Sequence, residues 1–120
     1  MSAAIAHPVV HLELQTNNLA RACAFYTELF GWSAETIHAH GRAYLAFDLG
    51  EAIHGGAVEQ ESECSAWLPY VEVADIAEAT EHARRLGAAI LLEPREGPAG
   101  WRGVVAPPAG AEIALWQPKL

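Results

Sequence analysis

The sequence predicts an α+β fold built from two βαβββ modules, and three observations carry that expectation. First, residues 10 to 31 read as a strand, a cap and an amphipathic helix, and a degenerate copy recurs later in the chain. The copy runs without a gap from His11 over Leu68 to Leu29 over Leu86. Second, each copy ends its helix at a glycine, Gly31 and Gly87, if Phe30 counts as one inserted residue. Third, each is followed by three short strand patterns with turn residues between them. Module one is expected over residues 9–58, a polar linker over 59–65 and module two over 66–118, in a single domain of 120 residues.

Residues 9 to 15 alternate. Val10, Leu12 and Leu14 point one way, and His11, Glu13 and Gln15 the other. The first set should meet the helix and the second water or a cavity. Asn17 and Asn18 are candidate caps. Leu19, Ala22, Cys23, Tyr26, Leu29 and Phe30 follow at spacings of three and four, which predicts one apolar helix face. Trp32 to Ile37 reads as a strand, and His38 to Arg42 as a turn around Gly41. Tyr44 to Leu49 and Ala52 to Val58 are the next two strands, antiparallel, with Gly50 and Glu51 between them. The second half repeats the plan: strand Trp67 to Val73, cap Asp75, and a helix with Ile76, Ala79, Ala83 and Leu86 on one face. Ala88 to Leu92 is a strand, Glu93 to Gly100 an open loop, and Val104 to Ala106 and Glu112 to Trp116 the closing strands around a Pro107–Gly110 turn. A helix on one face of each sheet leaves the other face open, and two such curved sheets side by side would form a trough.

Composition bounds the function. The chain is 52% hydrophobic and 18% charged, which is globular and argues against disorder. Seven Lys and Arg against fifteen Asp and Glu give a net charge of −8, so nucleic-acid binding through phosphates is not expected. No apolar run approaches the roughly 20 residues of a membrane span. The opening MSAAIAHP lacks the positive region of a signal peptide, and two cysteines make no disulfide framework. These features predict a cytoplasmic protein with no membrane partner.

The stretches VVHLELQTNNLARACAFYTELFGW, YVEVADIAEATEHARRLGAAI and GVVAPPAGAEIALWQPK resemble the vicinal oxygen chelate superfamily. That superfamily includes glyoxalase I, bleomycin-resistance proteins, extradiol dioxygenases and fosfomycin-resistance enzymes. FYTELFGW and ALWQP look most like its small bacterial glyoxalase-like members. The resemblance implies paired βαβββ modules, a homodimer and a small-molecule ligand. It also implies metal ligands on the first and last strand of each module, at His11 and His54 in module one and at Leu68 and Ala114 in module two. Leucine and alanine cannot ligate. A catalytic divalent ion usually needs about three protein ligands. The expectation is therefore a ligand-binding protein without the full metal site. If Zn, Ni, Mn or Fe does bind, His11 and His54 are the expected ligands, with Glu13 or Glu112 as oxygen donors. A metal-dependent lyase or isomerase of glyoxalase type with an altered site stands as the alternative.

Glu13 and Glu72 are the candidate general bases of a metal-free enzyme, since carboxylates in a half-enclosed trough can have raised pKa values. They are equally readable as ordinary exposed strand residues. His11, Gln15, Tyr70, Trp101 and Trp116 are the candidate substrate contacts, with Trp101 in a loop folding over the mouth. The same aromatic residues also suit a dimer interface. Tyr26 and Phe30 read as core. His38 and His40 read as a solvated turn, and His7 and His82 have no partner in the pattern.

Overall fold

A computed structural model of the chain describes residues 7–39, 42–50, 53–61 and 64–120. The expectations for the 1–6 leader, His40, Gly41, Glu51, Ala52 and the middle of the linker lie outside those residues. Within them the order is β1 (Val9–Thr16), α1 (Leu19–Phe30), β2 (Ala34–Ala39), β3 (Arg42–Asp48), β4 (His54–Glu59), β5 (Ala66–Glu72), α2 (Ile76–Arg85), β6 (Ala89–Glu96), β7 (Gly100–Ala106) and β8 (Ile113–Pro118). This is βαβββ twice, an α+β chain. It forms two compact units, Val10–Leu68 and Pro69–Leu120, the second joined by residues 7–9.

In module one the strands lie in the order β2-β3-β4-β1. β3 is antiparallel to both neighbours, and β1 runs parallel to β4 with His11 opposite His54 and Glu13 opposite Gly56. Module two has the order β5-β8-β7-β6, with β8 parallel to β5 and Tyr70 opposite Ala114. The parallel closure follows from the topology: after the crossover helix β2 runs in the direction of β1, and the two antiparallel steps from β2 to β3 and β3 to β4 restore that direction.

Helix α1 starts where Asn18 accepts a hydrogen bond from the Arg21 amide at 3.0 Å, and it stops at Gly31, whose φ of 69° is left-handed. It covers its sheet through Leu19, Ala22, Cys23 and Tyr26, which pack on Leu14, Leu45, Phe47 and Ala57. The predicted apolar face is longer than the sheet beneath it. Leu29 and Phe30 are 57% and 55% exposed, so Phe30 is not core. Phe30 instead lies 4.8 Å from the Trp32 ring, centroid to centroid, and Trp32 precedes β2 rather than opening it. Tyr26 is held by rings on several sides and accepts from the Trp67 indole N–H at 3.3 Å.

Helix α2 follows the same rules. Asp75 accepts from the Glu78 amide at 3.1 Å. Ile76, Ala79 and Ala83 pack with Val73, Val105 and Leu115. Leu86 sits beyond the last turn and is 68% exposed, against expectation. Residues 93–100 do not form the expected open loop. β6 continues to Glu96 through Pro94, and the ladder with β7 shifts register between Leu92 and Arg95. That irregularity is what lets a proline, which has no N–H to donate, sit inside a strand. His38 lies on β2, exposed, rather than in a turn. No helix among the described residues is long and apolar enough to cross a membrane.

Candidate functional site

Strand parity sorts the candidate residues. In module one the helix takes Leu14, Leu45, Phe47 and Ala57, so His11, Glu13 and Gln15 of β1 and His54 and Gly56 of β4 share the opposite, open face. The His11 ring lies over Gly56. A Cβ built on that glycine would sit 3.6 Å from the imidazole Cε1 and Nε2 and 3.2 Å from the Leu45 carbonyl oxygen. A side chain at 56 would thus touch the imidazole at ordinary contact distance, and the tighter approach is to the Leu45 carbonyl.

Beside it, Glu13 is only 9% exposed although no helix covers this face. Its carboxylate accepts a hydrogen bond from the Gln15 amide nitrogen at 3.2 Å. Burial holds the His11 pKa below the usual imidazole value, and the nearby His54 pushes the same way while Glu13 opposes it. His11 is thus a neutral imidazole at neutral pH, able to donate through one nitrogen and accept through the other. His54 opens β4, is exposed, and stands between His11 and Asp48 in the ladder. An open cavity of about 570 Å³ adjoins it at this end of the sheet, lined by Glu35, Asp48 and His54 among others.

In module two the open face carries Leu68, Tyr70 and Glu72 of β5, Ala114 and Trp116 of β8, and Arg102 of β7, which is opposite Trp116. Arg102 donates to the Tyr70 hydroxyl at 2.9 Å, and Tyr70 is 5% exposed. The Trp116 ring lies over Gly100 much as His11 lies over Gly56. Glu72 is half-buried, and its main chain is engaged: its N–H donates to the Pro8 carbonyl at 2.9 Å, and the His7 ring nitrogen meets its carbonyl oxygen at 3.2 Å.

Trp101 does not join this face. It lies on β7, with its side chain among Val73, Ile76 and Val105 on the helix side. Lys119 Nζ stands 5.5 Å from its ring centroid. The reading of positions 93–100 as a loop put Trp101 at a mouth, and a strand running from Gly100 removes it. Arg102 was missed by the same misreading. Alternation from Trp101 along a strand would have exposed it as the open-face neighbour of Trp116.

Among the described residues, two of the four expected ligand positions carry no ligating group. Leu68 is 2% exposed and Ala114 0%, and both are apolar. Glu112 is exposed and precedes β8. Among the described residues, no three His, Cys, Asp or Glu side chains gather into a group that could hold an ion. His11 and His54 are a pair without a third ligand in that set, short of the roughly three protein ligands a catalytic ion usually needs. Register also refines the repeat. Gly56 is opposite Glu13 and Ala114 is opposite Tyr70, so Gly56 rather than His54 is the internal counterpart of Ala114.

Residues 8–115 match the family model described as Glyoxalase/Bleomycin resistance protein/Dioxygenase superfamily. The chain belongs to that superfamily. It is similar to the protein named "Putative glyoxylase CFP32" of Mycobacterium bovis, 29% identical over 114 residues, which are 88% of this chain and 44% of that protein. The Mycobacterium tuberculosis protein of the same name matches equally. The chain thus spans less than half the length of the curated relatives it matches. Among solved structures it is similar to hypothetical protein BH1468 of Bacillus halodurans C-125, with a TM-score of 0.74, 12% identity and 97% of each chain covered. It is also similar to methylmalonyl-CoA epimerase of Mycobacterium tuberculosis, with a TM-score of 0.65 and 18% identity over 98% of this chain and 94% of that one. At these identities the structural likeness shows the fold, which hosts many chemistries.

Proposed function

We propose that this superfamily member binds a small organic molecule against the open faces of its βαβββ modules, without a complete metal site. The supporting observation is the arrangement on β1. A neutral His11 ring lies over Gly56 next to a nearly buried Glu13 that Gln15 holds in place. Fixed donors and acceptors of this kind, with aromatic rings such as Tyr70 and Trp116, are what an organic ligand requires. In this reading His11, Gln15, Tyr70 and Trp116 are ligand contacts. Neither Cys23 nor Cys64 is in a disulfide, which fits a cytoplasmic location, and we take the working form to be a homodimer.

The burial of Glu13 favours one second reading, a metal-free enzyme in which Glu13 serves as general base and Glu72 as its counterpart in module two. A thermal-shift screen of aromatic and peptide antibiotics and of small oxo-acids, with and without chelator, tests the proposal. A ligand that stabilises the chain with chelator present, and loses at least tenfold in affinity on His11→Ala, supports binding without metal. Stabilisation or turnover that appears only with added Ni, Zn or Mn would replace it by the altered-metal lyase or isomerase. Turnover that survives chelation and disappears in Glu13→Gln would establish the second reading.

A further inference from the structure

Helix α1 carries an apolar flank that its own sheet leaves partly uncovered. Phe25 and Leu29, four residues apart, stand exposed on it, and Ala22, which also packs on the sheet, and the cap residue Asn18 continue its line at spacings of three and four. Toward its C-terminal end Phe25 is 58% and Leu29 57% exposed. Beside its N-terminal half is an open cavity of about 340 Å³ lined by Leu14, Asn18, Arg21, Ala22, Phe25 and Tyr26 among others. A knob at one end and a hollow at the other, on one flank, are complementary to a reversed copy of themselves. Helix α2 has no such flank. Its outward side chains include Glu78, Glu81, Arg84 and Arg85, and Arg84 is engaged by Glu81 and Glu93 at 3.1 and 2.8 Å.

We infer that α1 is the contact helix of a homodimer, packed antiparallel on the α1 of a second copy. This rests on the homodimeric form proposed above and supplies its surface. Two-fold pairing seats each Leu29 in the other chain's hollow and lays each Phe25 beside the other's Ala22. Charge supports the same direction. Arg21 and Glu28 are exposed, seven residues apart, and neither side chain makes an ion pair within the described chain. Reversing the partner helix brings Arg21 of each copy to Glu28 of the other, twice, whereas a parallel pairing would not. Phe30 lies off this line, stacked on Tyr26 at 6.2 Å and tilted against Trp32 at 4.8 Å. A single helix pair covers less than the ~800 Å² per partner typical of stable complexes, so the dimer is reversible.

Sedimentation equilibrium of the full chain over roughly 1 to 200 μM reads the outcome, a range that spans dimers of micromolar affinity. The wild type is expected to pass from monomer to dimer across it. Leu29→Lys and Phe25→Glu, each with unchanged circular dichroism, should stay monomeric throughout. Arg21→Glu or Glu28→Arg alone should weaken the dimer about tenfold, and the double exchange should restore it. If the wild type dimerises and Leu29→Lys dimerises equally, the surface assignment is wrong while the homodimer stands. A wild type that stays monomeric at the highest concentration overturns both. Single charge reversals without effect, or a double exchange that restores nothing, overturn the antiparallel pairing.

Discussion

The two modules share a framework and differ in what they display. In each, the helix begins at a side-chain cap at the same place in the repeat, Asn18 and Asp75. In each, the last strand also reaches back to the first helical amide. Glu59 accepts from the Leu19 N–H at 2.9 Å, and Gln117 accepts from the Ile76 N–H at 2.8 Å. Glu59 lies three residues beyond Gly56 and Gln117 three beyond Ala114, so the register makes them counterparts. The display is otherwise. Module one presents His11, Glu13 and His54 on its open face and bare apolar side chains on its helix, whereas module two presents Tyr70, Arg102 and Trp116 and a charged helix. Backbone needs are thus retained at positions where a helix must start, stop or be held, and side chains diverge where only a ligand or partner would read them.

The largest expected effect tests how far the two ring-over-glycine contacts are alike. A Cβ at Gly100 would run into the Gln117 carbonyl oxygen and come within 2.8 Å of the Trp116 ring. The carbonyl belongs to the paired strand β8, so the backbone itself would have to move. Gly100→Ala is expected to destabilise the chain by about 2–4 kcal/mol in urea unfolding, the cost of overpacking against fixed atoms. At Gly56 the nearest atom is the Leu45 carbonyl oxygen at 3.2 Å, so Gly56→Ala should cost no more than about 1 kcal/mol. Part of that is offset because alanine narrows the unfolded ensemble. Equal losses at the two sites would show that the modules tolerate crowding alike and remove this distinction.

Much of the framework was legible because it repeats with the right periods. The alternation in residues 9 to 15 correctly put His11, Glu13 and Gln15 opposite Leu14, and the caps and glycine stops follow from local chemistry. What failed was anything that depends on how far a neighbouring element extends. The helical pattern through Leu29, Phe30 and Leu86 says those residues are on an apolar face, but not that the sheet ends before reaching them. Pro94, Gly97 and Pro98 read as loop because a proline usually ends a strand, and the register shift that accommodates Pro94 has no local signature. That one misreading displaced Trp101 from its true face and hid Arg102. His54 was located on its strand, but the counterpart of Ala114 needed the ladder itself, because no gap-free repeat reaches that far.

The caps give smaller effects and sharpen the comparison between helices. Asn18→Ala and Asp75→Ala should each cost about 1 kcal/mol, read by the unfolding midpoint at constant slope. The strand-borne acceptors separate the modules. Glu59 is charged and stands at the positive end of α1, while Gln117 is neutral at the same place on α2. Glu59→Gln should therefore lose about 0.5 kcal/mol at low salt, and less as salt rises, with the hydrogen bond retained. Gln117→Glu should gain a comparable amount. If Glu59→Gln is neutral at every ionic strength, the charge contributes nothing and the two acceptors are equivalent.

The smallest effect is a pH dependence from His11, which has no equivalent in module two because its repeat partner at position 68 is a leucine. His11 has a pKa lowered from 6.5, with burial the leading cause. The unfolded chain therefore takes up a proton near the ordinary imidazole value, at a pH where the native chain still refuses it. Stability must fall as pH falls through that interval, since it decreases wherever the unfolded state binds more protons. Above the ordinary value His11 is neutral in both states and contributes no slope. Below the native value it is charged in both, and the loss is complete. Urea unfolding at intervals from about pH 7.5 to 5 should therefore show a decline in the wild type that is shallower in His11→Gln. Neutralising the neighbour probes the opposing influence: Glu13→Gln removes the carboxylate that favours the imidazolium, so the native pKa should drop further and the decline steepen. If His11→Gln declines in parallel with the wild type, the imidazole is as well hydrated as in the open chain. The face it occupies would then be ordinary surface, and the contrast with the buried Leu68 in module two would carry no consequence for a ligand.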